Sequence, residues 1–318
     1  MSKKGVILIL IILVLALAAC NPAPAPQPIT QTPTAVEETV QPTQTAPPPP
    51  PTLTLTPTDI PTPTLTPTVI YGPEPRAVEF QAEDGQVLQG TYYPSGKSPA
   101  PVIVLMHWAR GDQGEWSAIA RWLQNRGEGG SGQPGAEDWL NPAWFPEMPE
   151  DLSPAVFTFT FRGCEGGCAE YPAADWLLDA RAAMDTASQL EGVDGDRVLA
   201  VGASIGADGA VDSCYWMNAA QGGTCLGAFA LSPGSYLTVP YQDVVFELSA
   251  EDRARPVWCL FGKRDGGAAK TCRSGSQAQL MGWEHSDEHG LELITQAWEP
   301  SALDYLLQFL SSTLGSAN

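Results

Sequence analysis

Hydrophobic positions along the chain fall into two alternating patterns. Residues 101–106, 154–161, 198–203, 226–231 and 256–262 are short, nearly continuous apolar runs, the pattern of strands buried on both faces. Between them lie stretches with helical spacing: 117–125, with Ile119, Trp122 and Leu123 on one face; 173–190, with Trp176, Leu177, Ala180, Ala183, Met184 and Ala187; 205–220; and 301–311. Segments 76–83 and 86–93 flank Asp84-Gly85 and predict a hairpin. A last strand is predicted over 293–298. Repeated strand–helix alternation predicts an α/β fold: a mostly parallel sheet, covered by helices on both faces, with an N-terminal hairpin. No long insertion follows 226–231, so no large helical cap is expected. Sites in such sheets lie at the carboxyl ends of the strands.

The first 72 residues follow different rules. Lys3 and Lys4 precede an apolar run over 6–19, short for a bilayer span and suited to a signal-peptide core. The run ends in Leu17-Ala18-Ala19-Cys20, which resembles the bacterial lipoprotein lipobox. That resemblance implies a signal peptide over 1–19, lipidation of Cys20, a membrane contact through the lipid and an extracytoplasmic location. Residues 21–72 hold 15 of the 30 prolines and repeat Thr-Leu-Thr-Pro-Thr near 54 and 64. This composition buries no core and favours extended polyproline conformations, reaching roughly 160 Å at about 3.1 Å per residue. The expected organisation is therefore a signal (1–19), a lipidated cysteine with a disordered tether (20–72), and one folded domain (73–318).

Charge and cysteines narrow the partners. Only Glu37, Glu38 and Asp59 of the 36 acids and Lys3 and Lys4 of the 16 bases precede residue 73, so the remainder carries 33 acids against 14 bases. Such a surface argues against nucleic acid as a partner, and a monomer is expected. Six cysteines lie in that part: Cys164, Cys168, Cys214, Cys225, Cys259 and Cys272. An even number outside the cytoplasm suggests disulfides, with 15 connectivities open. Three sequence-local pairs, 164–168, 214–225 and 259–272, are the expected arrangement. The cysteine spacing does not suit zinc.

Candidate chemistry begins at Gly202-Ala203-Ser204-Ile205-Gly206, directly after an apolar strand. A serine on a strand-to-helix turn is exposed by a strained backbone, and the flanking glycines let strand and helix pass closely. The helix N-terminus also directs N–H groups to where negative charge would develop. Asp208 and Asp212 on that helix read either as solvent-facing or as members of a polar network.

Five motifs in order resemble the α/β-hydrolase family, its dienelactone-hydrolase-like members in particular, over residues 76–315. They are Val102-Ile103-Val104-Leu105-Met106-His107, Phe161-Arg162-Gly163, the 202–206 elbow, Phe261-Gly262-Lys263-Arg264-Asp265, and His289-Gly290. The resemblance implies Ser204 as nucleophile, Asp265 as orienting acid and His289 as base, in the family's chain order. It implies an oxyanion hole from Ile205 N–H and from Trp108 or Ala109, although Trp108 stands where glycine is usual. His107, Trp108 and Trp116 are expected to line the substrate. The expected activity is cleavage of a small-molecule or polymer-linked ester through an acyl-enzyme, without cofactor or metal. A serine peptidase of the same fold stays open.

Two further readings apply. His285-Ser286-Asp287-Glu288-His289 matches His-x-x-Glu-His, which on one helix face would hold zinc; Gly290 and the weak helical pattern oppose it. A catalytically silent binding domain is the other. The Gly-rich segment 127–151, with Trp139, Trp144 and Phe145, reads as a lid over an apolar substrate or as a surface insertion.

Overall fold

A computed structural model of the chain describes residues 73–124, 145–149, 151–221, 224–250, 255–295 and 298–315. The signal segment, Cys20, the tether, and Trp139 and Trp144 lie outside the described residues.

The continuous apolar runs are the central strands. In chain order the strands are β1 (Arg76–Gln81), β2 (Val87–Tyr93), β3 (Ala100–Met106), β4 (Ala155–Phe159), β5 (Val193–Ala203), β6 (Cys225–Leu231), β7 (Val257–Gly262) and β8 (Gln279–Trp283). The helices are α1 (Ser117–Leu123), α2 (Ala173–Ser188), α3 (Ile205–Gln221), α4 (Tyr241–Ala250), α5 (Gly266–Ser274) and α6 (Ala302–Leu314). The strands form one sheet in the order β1-β2-β4-β3-β5-β6-β7-β8. Pairing is antiparallel for β1–β2 and β2–β4 and parallel from β4 to β8. The expected α/β architecture is the one observed, with the hairpin turning at Gly85, whose φ is +89°. Among the described residues, α4 is the one helix between β6 and β7, and no cap is inserted there.

Period-two alternation divides the core. Val102, Val104 and Met106 face a cluster built from α2 to α5, while Ile103 and Leu105 face α1 and α6. The six α2 residues read as one face are all buried, and burying each large side chain contributes about 1.5–3 kcal/mol. Disulfides Cys164–Cys168, Cys214–Cys225 and Cys259–Cys272 close three local loops. Arg162 ties the hairpin turn to α2: it donates to the buried Asp179 at 2.9 and 2.6 Å and to Asp84 at 2.5 and 3.1 Å.

One strand expectation fails. Residues 290–295 form a 3-10 helix, not a strand. Leu291, Leu293 and Ile294 are buried there against the α1/α6 cluster, so their apolar spacing reflects a short helical turn. The last strand is instead β8, an edge strand with Leu280 exposed and Met281 buried.

Candidate active site

Strands β3, β5, β6, β7 and β8 all end at one rim of the sheet, where Met106 pairs with Gly202, Ala203 with Leu231, and Gly262 with Trp283. Ser204 is the single residue between β5 and α3, with φ +53°. The residues two positions before and two positions after it must be glycine. A Cβ on Gly202 would sit 1.9 Å from the Gly206 carbonyl oxygen, and one on Gly206 would sit 2.3 Å from that of Met106. Ser204 N–H donates to Leu231 O at 2.8 Å, locking the turn to β6. The hydroxyl is left at the rim on a residue only 6% exposed.

His289 Nε2 lies 2.8 Å from Ser204 Oγ, and His289 Nδ1 lies 2.6 Å from Asp265 Oδ2. With the proton on Nδ1, imidazole donates to the carboxylate and accepts from the serine. Asp265 follows β7 and caps α5, its Oδ1 accepting from Ala268 N–H at 3.3 Å. The Cys259–Cys272 disulfide links that strand to that helix. His289 is brought over by a loop lying against Gly262, where a Cβ would meet Ser286 O at 2.6 Å. Arg264 N–H donates to Ser286 O at 2.8 Å, and His289 N–H donates to Glu292 Oε2 at 3.2 Å.

The oxyanion candidates are also placed. Ile205 opens α3, so its N–H has no partner within the helix. His107 is fully buried, with its Nδ1 2.6 Å from Trp108 O and its Nε2 accepting from Phe161 N–H at 3.0 Å. The Nδ1–H tautomer satisfies both contacts and turns the Trp108 carbonyl inward. In that trans peptide the Ala109 N–H points the opposite way. Cys168 N–H, from the loop closed by Cys164–Cys168, donates to Ala109 O at 2.9 Å. Burial pushes His107 down to about 4, against weaker opposing effects from Trp108 O, Asp112 and Glu165.

Two residues expected to line the substrate do not. Both ring nitrogens of His107 are used inside the protein, so it supports the loop from behind. Trp116 is fully buried among the residues facing α1 and α6; its large apolar surface is satisfied by core packing. Trp108 does reach the site: a Cβ on Gly290 would lie 2.9 Å from its ring and 3.7 Å from Ser204 Cβ. Its indole N–H donates to Glu115 at 2.7 Å. Arg110 stacks on the ring at 5.2 Å and pairs with Glu292 at 2.8 Å, joining the loop after β3 to the histidine loop.

The His-x-x-Glu-His segment is a turn followed by irregular chain, not a helix. Arg264 donates to His285 Nδ1 at 3.3 Å, while His289 faces Asp265 and Ser204. The helix face that the zinc reading needs is therefore missing. Among the described residues, no group of three or more His, Cys, Asp or Glu side chains is placed to hold a metal ion.

Two site residues carried no recognisable motif. Tyr236 stands edge-on to the His289 ring, centroids 6.2 Å apart. Asp208, one turn after Ser204, is buried and accepts from Gly234 N–H at 3.3 Å and Tyr236 N–H at 2.5 Å. Burial raises Asp208 to about 7 and, aided by the Asp208 charge, raises Asp212 to about 8. For Asp208 the structure decides between the two readings in favour of the polar network; for Tyr236 the one available signal was position, since residues 232–237 follow the carboxyl end of β6, at the rim where sites form.

No family model matches this chain. It is 30% identical over 148 residues to an uncharacterized Escherichia coli protein, YfhR, a match covering 45% of this chain and 44% of that protein. The chain thus spans under half the length of the curated relatives it matches. Among solved structures, an esterase of Pyrococcus furiosus superposes with a TM-score of 0.51 at 15% identity, over 79% of this chain and all of that one. A candidate dienelactone hydrolase of Klebsiella pneumoniae gives 0.51 at 14% identity, over 75% of this chain and 98% of that one. With the sheet order above, these likenesses establish the α/β-hydrolase fold.

Proposed function

We propose that this protein is a serine hydrolase that cleaves carboxylic esters through an acyl-enzyme. The observation that carries the reading is the continuous Ser204–His289–Asp265 hydrogen-bond series, 2.8 and 2.6 Å, on a strained elbow. A serine hydroxyl becomes nucleophilic when a base takes its proton as it attacks. His289 takes that proton at Nε2, and Asp265 stabilises the imidazolium through Nδ1–H. Negative charge on the former carbonyl oxygen is met by Ile205 N–H and by Ala109 N–H, the latter aimed by His107. His289 then protonates the departing alcohol. A water activated by the same imidazole releases the acid and restores Ser204. The substrate is a small-molecule or polymer-linked ester, and none of these steps requires a metal.

The same proposal places the enzyme outside the cytoplasm. After cleavage at residue 19, a lipid on Cys20 would anchor it, and the Pro/Thr-rich stretch to residue 72 would hold the catalytic domain away from the membrane. The sequence motifs support that reading.

The test is turnover of a panel of acyl esters and of peptide substrates by the purified full chain and its Ser204→Ala variant. Ester turnover that falls at least 1000-fold in the variant, with an unchanged circular-dichroism spectrum, is expected; removal of a triad member costs about 10⁴- to 10⁶-fold. Turnover surviving in Ser204→Ala refutes the nucleophile. Cleavage of peptides but not esters moves the assignment to the peptidase.

A further inference from the structure

The loop after β6 is built with unusual constraint for a surface turn. Ser232 and Ser235 both adopt positive φ, +54° and +55°, a region L-residues enter at a cost. Ser232 N–H donates to Leu260 O at 2.8 Å, while Leu231 O receives Ser204 N–H at 2.8 Å. The loop therefore shares its root with the nucleophile. Asp208 then draws Gly234 and Tyr236 N–H inward from the first turn of the nucleophile's own helix. Gly234 is needed because a Cβ there would lie 2.2 Å from the Tyr236 ring. The outcome is a phenol at 42% exposure held edge-on to the His289 ring, whose Nε2 is 2.8 Å from Ser204 Oγ.

Building such a loop only to display an apolar ring at the surface would give no return for its strain. The phenol's place relative to the triad suggests its use. The oxyanion donors, Ile205 and Ala109, belong to the start of α3 and the loop after β3. Tyr236 stands on the other side, against the imidazole that must hand its proton to the leaving group. Desolvation, with the Asp265 and Asp208 charges adding to it, keeps the phenol protonated, so it acts as a donor through neutral pH.

We propose that Tyr236 is the hydrogen-bond donor to the leaving group, and that Asp208 is the residue that positions it. This rests on the serine-hydrolase reading above. When the tetrahedral intermediate collapses, the bond between the acyl carbon and the alkoxy oxygen breaks and its electron pair goes to that oxygen. His289 Nε2–H supplies the proton. Tyr236 donates a hydrogen bond to the same oxygen and keeps its own proton throughout. The substrates that need this are esters of poor leaving groups, alkyl and sugar alcohols; activated aryl esters, whose oxygen leaves as a stable anion, need it little.

The experiment compares kcat/KM, which reports steps through acylation, for the full chain and Tyr236→Phe. The substrates share one acyl group and run from p-nitrophenyl through phenyl and trifluoroethyl to ethyl esters. The expected loss grows along the series, from about twofold to about tenfold or more, the scale of one lost hydrogen bond to a developing charge. Asp208→Asn should show the same trend more weakly, since its amide retains one acceptor for the loop. Tyr236→Phe preserves the ring, and fluorophosphonate labelling of Ser204 in the variant checks that the nucleophile is intact. An equal loss across the series, or none, overturns the assignment to Tyr236 and leaves the serine-hydrolase reading standing. Wild-type protein that turns over no ester in the series overturns both.

Discussion

His107 offers a quantitative test of how the oxyanion loop is held. Its ring is fully buried, accepts from Phe161 N–H through Nε2 and contacts Trp108 O through Nδ1. Protonation would put a second donor against the Phe161 N–H and leave a charge in the core. Burial lowers the group from 6.5 to about 4. A histidine with a depressed folded-state pKa contributes stability that is complete above 6.5. That stability is lost as pH falls toward 4, because there the unfolded chain binds the proton and the folded one resists it. A gap of about 2.5 units at about 1.36 kcal/mol each sets the scale at about 3 kcal/mol by pH 4. His107→Gln removes the titration while keeping a donor and an acceptor. The assay is urea unfolding of wild type and variant at pH 7, 5.5 and 4 with disulfides intact. The wild type should lose about 3 kcal/mol more than the variant between pH 7 and 4, whatever their difference at pH 7. A double difference below about 1 kcal/mol would show that His107 is not a desolvated neutral group, and the aimed Ala109 N–H would lose its support.

Other consequences follow from the same contacts. Arg162→Met leaves Asp179 buried without its cation and should cost about 3–5 kcal/mol in urea unfolding; a change under about 1 kcal/mol would mean that the guanidinium is not the compensating charge. Replacing Cys214 and Cys225 together by alanine opens a loop of about 12 residues and should lower stability by about 3 kcal/mol at unchanged disulfide content elsewhere. Asp212→Asn should raise stability at pH 8.5 and change it little at pH 4. A buried acid with a raised folded pKa loses stability as pH climbs from its unfolded value toward its folded one, here about 8. An identical pH profile in the variant would contradict this. Gly206→Ala should yield protein without esterase activity, because its Cβ falls on the Met106 and His107 carbonyls; normal kinetics would mean that the elbow has room.

How much of this could be read from residues alone depended on the kind of signal. The parallel strands were legible because burial on both faces leaves uninterrupted apolar runs, as in residues 226–231 and 257–262. The elbow was legible because the Gly202–Gly206 approach tolerates no side chain. The segments that escaped were those whose pattern is shared between structures. Gln279–Trp283 is an edge strand with only part of one face buried, so it lacks the run that marks its neighbours. Leu291 and Leu293 alternate like a strand, although the chain there winds as a 3-10 turn. Helix α4 has its apolar residues interleaved with Gln242, Asp243 and Glu247 over only ten residues. His107 was legible as part of the loop but not as its hidden support, because burial is a property of the assembled fold. Tyr236 carries no motif at all: its place depends on two positive-φ serines and on a carboxylate 28 residues earlier.

The central claim is that Ser204 is activated by His289. Its most direct measurement is fluorophosphonate labelling of the full chain, followed by peptide mapping under conditions that preserve the disulfides. The account predicts one adduct, on Ser204, formed by wild type and lost in His289→Ala while the fold is retained. A folded protein that does not label, or that labels equally well without His289, would contradict it.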